Sequence, residues 1–186
     1  MMGIGCCKVK KEVLKKVKKI IAGIFLICLI IIALWQSFFL KEAEIGLEKG
    51  NKAPDFELLT LEGEKVSISD FEGKNVILNF WATWCKPCEK EMPELEKVYQ
   101  QNKDEVTVVA VNFTVSEKNV ESVQSYIKQG GYTFPVLLDQ KNKANSGFEV
   151  LSYPTTYFLD ENGIIRDKVI GQMTDEIIEN KLKKLK

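Results

Sequence analysis

Two cysteines three residues apart, Cys85 and Cys88, carry the chemistry this sequence can most directly perform. Thiols at that spacing can close a disulfide or supply half of a zinc site. An apolar run from Asn75 to Phe80 leads into Trp81-Ala82-Thr83-Trp84-Cys85-Lys86-Pro87-Cys88, and a helical pattern from about Cys85 to Gln101 leaves it. A helix start presents unpaired N–H groups and the positive end of the macrodipole, which favour a thiolate over a thiol. Cys85 falls at the mouth of that helix, within reach of solvent, and Cys88 comes round beside it one turn deeper. Pro87 fits the first turn, where its missing N–H costs nothing. A zinc site needs about four ligands, and the chain has no histidine and no second cysteine pair after Cys88. Strand, Cys-x-x-Cys, helix is therefore a device for thiol–disulfide exchange.

At these residues a resemblance becomes plain. Phe80-Trp81-Ala82-Thr83-Trp84-Cys85-Lys86-Pro87-Cys88 resembles the active site of the thioredoxin superfamily. Leu78-Asn79-Phe80-Trp81-Ala82-Thr83-Trp84-Cys85, followed by Glu91, is similar to the membrane-anchored ResA/TlpA branch in particular. The similarity runs from about Gly50 to the C-terminus. It implies an α/β thioredoxin fold with an N-terminal β-hairpin and a central strand–helix insertion around Val106–Leu138, with Cys85–Cys88 as the redox disulfide.

Cys85 is the expected nucleophile, its thiolate attacking a partner disulfide, and Cys88 the residue that resolves the mixed disulfide. Lys86 between them adds positive charge, which would help the thiolate; a solvated side chain is the competing reading. Tyr153-Pro154-Thr155 matches the superfamily's cis-proline element, which offers backbone groups to a bound peptide. Trp84, Tyr153, Pro154 and Thr155 are thus the expected substrate-binding residues, while Trp81 packs around the site. Glu91 lies three residues after Cys88, on the same helix face. A carboxylate there could carry protons and raise the thiol pKa values by charge repulsion, and the branch holds a functional acid at this position. Its rival is a solvated glutamate, since Glu89, Glu94 and Glu96 populate the same helix. Asn79 departs from thioredoxin, which carries a buried aspartate there; asparagine cannot ionise. No metal and no cofactor are expected.

The elements that position these residues follow from pattern. Lys65–Ile68 and Phe56–Leu61 alternate about Glu62-Gly63-Glu64, a hairpin signal. Asn75–Trp81 and Val106–Asn112 are continuous apolar runs of the buried parallel type. Ser116 is a candidate cap for a helix ending at Gly130-Gly131, and Phe134–Leu138 reads as a strand. Asn142–Phe148 reads as a short helix or turn. Thr155–Leu159 and Gly163–Ile170 are strands hinged at a turn, and Thr174 caps a last helix from Asp175. Alternating βαβα followed by a hairpin and a helix indicates a mixed sheet covered on both faces.

Ahead of that domain, residues 53–186, lies a different composition. The chain has 186 residues and 26 charges of each sign, yet seven of its lysines and only one acid, Glu12, precede Leu40. The remainder is net acidic, which does not suggest nucleic acid as a partner. Residues 1–19 are short and basic. Residues 20–40 hold no charge, and as a helix would span about 31 Å, the thickness of a hydrocarbon core. The run exceeds a signal peptide's apolar core and no small-x-small cleavage site follows it. Ile27 is too bulky to precede a lipoprotein cysteine at Cys28. The expectation is an uncleaved transmembrane signal-anchor in the cell membrane, with a cytoplasmic N-terminus by the positive-inside rule. Residues 41–52 then form a polar linker to an extracytoplasmic domain, and Cys6, Cys7 and Cys28 have no part in the chemistry.

The resemblance implies reduction of disulfides in exported proteins, such as the CxxCH haem-attachment site of apocytochrome c, in cytochrome c biogenesis. It implies electrons from a membrane thiol carrier of the CcdA/DsbD type. A spore or cell-wall protein disulfide reductase is the sister role, and an oxidase that forms disulfides is the reverse direction. A peroxidase is disfavoured: Thr83-Trp84-Cys85 lacks the Thr-x-x-Cys spacing and the one arginine, Arg166, lies on a distant hairpin. A Sco-type copper carrier would need a longer cysteine spacing and a histidine.

Overall fold

The computed structural model describes residues 5–39 and 43–185, with side chains for 18–35 and 43–185. Met1 to Ile4, Leu40 to Glu42 and Lys186 lie outside the described residues, as do the side chains of Cys6 and Cys7. Two compact units result, divided after Glu42. The first is α1, Gly5–Phe39. Its window Lys18–Trp35 has a mean hydropathy of 2.4 and is buried nowhere within the structure. It is the one helix among the described residues long and apolar enough to cross a membrane.

The second unit is a thioredoxin-like α/β domain. Its strands are β1 (Glu57–Thr60), β2 (Lys65–Ser67), β3 (Asn75–Trp81), β4 (Val106–Asn112), β5 (Val136–Leu138), β6 (Thr155–Leu159) and β7 (Ile165–Ile170). They form one mixed sheet in the order β2-β1-β5-β4-β3-β6-β7. β3, β4 and β5 are parallel, and β6 runs antiparallel to β3. The β1–β2 hairpin joins the sheet through β1 against β5, so the two expected additions to the fold meet each other. Gly63, at φ 86°, supplies the left-handed residue of the hairpin turn.

Side chains of β3 alternate between two cores. Ile77 and Trp81 pack on one face with Cys88, Met92 and Leu95 of α2 (Lys86–Gln101), Val123 of α3 (Val120–Gly130) and Ile178 of α5 (Asp175–Leu182). Val76, Leu78 and Phe80 pack on the other with Tyr157 and with Phe148, which follows the short α4 (Lys143–Gly147). Each large side chain so buried contributes on the order of 2 kcal/mol. The period of two has a consequence for the site: Asn79, between Ile77 and Trp81, is directed to the α2 face.

Two expectations shift. Ser116 does not cap α3; Asn119 does, its Oδ1 accepting the Ser122 N–H at 2.9 Å, and Gly131 closes the helix in the left-handed region at φ 67°. Ser116 instead ends a 3-10 turn, its hydroxyl engaged by Trp84 and by the Phe113 carbonyl. The linker residues from Ala43 onward belong to the folded domain. Gly50 N–H donates to the Ile165 carbonyl at 2.8 Å, and Ile165 N–H to that of Asn51 at 2.9 Å. β7 is an edge strand, and this segment takes up part of its unpaired backbone.

Candidate active site

β3 ends at Trp81 and α2 begins at Lys86, so the intervening loop presents Cys85 as the helix N-cap. Cys85 and Cys88 are joined in a disulfide with Cα atoms 5.3 Å apart, and the Cys88 N–H points at Cys85 Sγ at 3.2 Å. That N–H is one of the helix's orphan donors, so the field expected to favour a Cys85 thiolate has a specific source. Cys85 retains 5% exposure and Cys88 none. The more accessible sulfur is the expected nucleophile.

The loop is clasped by Glu117, which follows β4 and the 3-10 turn Thr114–Ser116. Its carboxylate accepts the Thr83 N–H at 2.7 Å and the Thr83 hydroxyl at 2.5 Å, and its Oε1 also accepts the Asn112 amide at 2.9 Å. Nothing in the spacing of Glu117, 32 residues beyond Cys85 in a polar stretch, signals this contact.

The β3–β6 register, with Thr155 opposite Phe80, brings Tyr153-Pro154 alongside the end of β3 that carries the cysteines. The Tyr153–Pro154 peptide is cis. Trp84 is 54% exposed. It meets the Tyr153 ring edge-on at 5.8 Å, and its indole N–H donates to Ser116 Oγ at 2.9 Å. Phe113 stacks on Tyr153 at 5.4 Å, and the Tyr153 hydroxyl donates to Asn145 Oδ1 at 2.6 Å. Burial holds the Tyr153 phenol up, well away from ionisation near neutral pH, and the Asp139 carboxylate adds to the effect. Pro154 and Thr155 are buried, and the Thr155 hydroxyl turns back to the Ser152 carbonyl. What this element presents outward is the Trp84–Tyr153 surface.

Glu91 is not a solvated glutamate: it is fully buried. Its Oε1 accepts the Asn79 amide at 2.7 Å and its Oε2 accepts the Met173 N–H at 3.0 Å. Burial raises its carboxyl from 4.5 to about 7, against the lowering effect of those two donors. Asn79 is likewise fully buried. Sequence marked it as a departure but not as a partner of Glu91, and β3 alternation is the signal that could have found the pair. Lys86, by contrast, points to solvent and pairs with Glu89 at 3.2 Å. Arg166 pairs with Asp160, just beyond the end of β6 remote from the cysteines.

A buried carboxyl one turn below a helix-capping Cys-x-x-Cys pair, on a thioredoxin fold, defines a thiol–disulfide oxidoreductase. The comparisons agree and narrow it. The AhpC/TSA family model matches residues 49–168. Thioredoxin-like protein YneN of Bacillus subtilis (strain 168) is 48% identical over 166 residues, covering 89% of this chain and 97% of that protein. Thiol-disulfide oxidoreductase ResA of Bacillus thuringiensis subsp. konkukian (strain 97-27) is 37% identical over 153 residues, 82% of this chain and 86% of ResA. Among solved structures, a putative thiol:disulfide interchange protein DsbE from Chlorobium tepidum superposes with a TM-score of 0.69 at 32% identity, covering 76% of this chain and all of that one. The chain belongs to the AhpC/TSA family and, within it, to the ResA-like thiol-disulfide oxidoreductases.

Proposed function

We propose that the chain is a membrane-tethered reductase of disulfides in exported proteins, with its N-terminus in the cytoplasm and its folded domain outside. The observation that carries the direction is the buried carboxyl of Glu91 beneath the cysteine pair. A negative charge there opposes formation of thiolates. A pair whose thiolates are destabilised holds its electrons less tightly and is the stronger reductant, the inverse of an oxidase whose reduced form is stabilised.

The reaction follows. The Cys85 thiolate attacks one sulfur of the substrate disulfide, and the other leaves as a thiolate that takes a proton from water. The Cys88 thiol passes its proton to the Glu91 carboxylate and attacks Cys85 Sγ. The Cys85–Cys88 disulfide closes, the second substrate sulfur departs, and two electrons have moved to the substrate. The Trp84–Tyr153 surface and the backbone ahead of Pro154 hold the substrate segment, and Thr155, buried between β3 and β7, anchors that element. A membrane thiol carrier of the CcdA/DsbD type returns two electrons. Apocytochrome c, oxidised at its CxxCH site, is the substrate that similarity to ResA favours.

The reduction potential of the Cys85–Cys88 pair tests the direction. A value near or below that of thioredoxin, about −270 mV, is expected, and one near about −120 mV would make the protein an oxidase. On intact cells, a membrane-impermeant thiol reagent should label reduced Cys85 and leave Cys6 and Cys7 untouched; the opposite pattern inverts the topology.

A further inference from the structure

Asn79 offers Glu91 more than a contact. Its Nδ2 donates to Glu91 Oε1 at 2.7 Å and to Thr156 Oγ1 at 2.9 Å. Its Oδ1 is buried and has no hydrogen-bond partner among the described residues. The two donors aimed at Glu91, the Asn79 amide and the Met173 N–H, both suit a carboxylate. A carboxylic acid needs something else: an acceptor for its own O–H. The unpaired Oδ1 is such an acceptor, on the same amide group. A half-turn about the Asn79 Cβ–Cγ bond exchanges Oδ1 and Nδ2. Oδ1 can then accept from the Glu91 acid, and the Thr156 hydroxyl, donor or acceptor at need, reverses its role. Either orientation leaves one amide atom unpaired, so neither is locked.

We propose that Asn79 is the positioning residue for Glu91, its amide turning over to serve the carboxylate in one orientation and the carboxylic acid in the other. The proposal rests on the reading of Glu91 as the proton carrier of the pair. The proton concerned is the one Cys88 releases as it attacks Cys85, returned when the pair is reduced again. The groups bonded to Glu91 are Asn79 of β3, which reaches back to Thr156 of β6, and the Met173 N–H ahead of α5; Cys88 lies one turn earlier on its own helix. Burial raises its pKa and the Met173 and Asn79 donors lower it, with no charged side chain among the causes. An aspartate at position 79, as in thioredoxin, would set a second carboxyl against the first.

The test is a carbon-13 titration of the Glu91 carboxyl in the full chain, in detergent micelles with the disulfide closed, the resonance assigned by its loss in Glu91→Gln. The wild-type midpoint is expected at about 7. Asn79→Leu removes a charge-assisted donor to the anion and a weaker acceptor for the acid, and the difference should raise that midpoint by about one unit. Asn79→Asp keeps the shape and makes two carboxyls share a proton, for a rise of about two units. In the reduced protein, Asn79→Leu should lower the midpoint for alkylation of Cys85, because Glu91 stays neutral to higher pH. It should do nothing further in a Glu91→Gln background. An unchanged Glu91 midpoint in both Asn79 variants, or an alkylation shift that is the same with and without Glu91, overturns the proposal. A Glu91→Gln protein with unaltered alkylation and activity removes the proton-carrier reading instead, while the carbon titration still decides the role of Asn79.

Discussion

Helix α2 has two sides that share one ionisable residue type, glutamate, with opposite consequences. Inward lie Cys88, Glu91, Met92, Leu95 and Val98, all buried; outward lie Lys86, Glu89 and Lys90, all exposed. Glu91 and Glu89 are two residues apart and chemically identical, yet one carboxyl is raised to about 7 and the other serves a surface lysine. A charge in water is screened over roughly 10 Å or less, whereas a buried one acts on its neighbours at low dielectric. The lesson is that the site's electrostatics belong to the inward side, and each variant below sharpens or breaks that division.

The largest effect is expected at the sulfurs. Cys85→Ser should reduce protein-disulfide reductase activity by about a thousandfold or more, since the nucleophile is gone. Cys88→Ser should be as inactive but should accumulate a mixed disulfide between Cys85 and the natural substrate, visible on non-reducing gels and identifiable by mass spectrometry. A stronger adduct in Cys85→Ser would exchange the two roles and place the attacking sulfur on the inward side.

Next comes Glu91 itself. Glu91→Gln keeps the shape and removes the charge, and activity near neutral pH should fall by about a hundredfold as proton transfer is lost. The alkylation midpoint of Cys85 should drop by about one unit, because the charge opposing the thiolate is absent. Full activity with an unmoved midpoint would mean that the buried carboxyl is structural only.

The same residue predicts a pH dependence of stability in the disulfide form. Its folded carboxyl titrates at about 7, above the 4.5 of an unperturbed glutamate. Between those values the native state keeps a proton that the unfolded state has lost, so stability falls as pH rises. The contribution is intact below about pH 4.5 and lost through about pH 7, a change on the order of 3 kcal/mol. Denaturant melts of wild type and Glu91→Gln should show this slope in the first and little of it in the second. Parallel curves would show that Glu91 is not the group responsible.

How much of this was legible beforehand divides along the same line. The spans of β3 and β4, the Cys-x-x-Cys at a helix start and the apolar N-terminal helix are local patterns, and the structure has them where periodicity and composition put them. Tyr153–Pro154 was marked by resemblance and not by any local signal. What was not legible are contacts made at long range. Glu91 meets a backbone N–H 82 residues away, and Thr83 meets a carboxylate 34 away, each fixed by how helix and loop seat on the sheet. The α3 cap shows the same limit in miniature. Ser116 and Asn119 are both good cap residues, and the choice went to Asn119 because the Ser116 hydroxyl is committed to Trp84 and Phe113. Alternation on β3 did contain the Asn79–Glu91 pairing, but only once α2 was known to cover that face.

The smallest effect is expected outside. Lys86 lies between the two cysteines and adds positive charge, so sequence alone left open that it lowers the Cys85 pKa. In the structure its side chain is 85% exposed and its ammonium is held by Glu89, whose side chain is 55% exposed. Such a pair is screened, and its own partner cancels most of the field it could project on the sulfur. Lys86→Gln should therefore move the alkylation midpoint by no more than about 0.3 units, against about one unit for Glu91→Gln. Glu89→Gln leaves the lysine uncompensated and should shift the midpoint slightly downward. The double variant should return to wild type, because the two charges are removed together. The measurement is a pH series of iodoacetamide modification of the reduced protein at low and high salt. Salt should erase the outward effects and leave that of Glu91 standing. A Lys86 shift as large as that of Glu91, or one that survives high salt, would mean that the outward side also tunes the thiol, and the division between the two faces of α2 would fail.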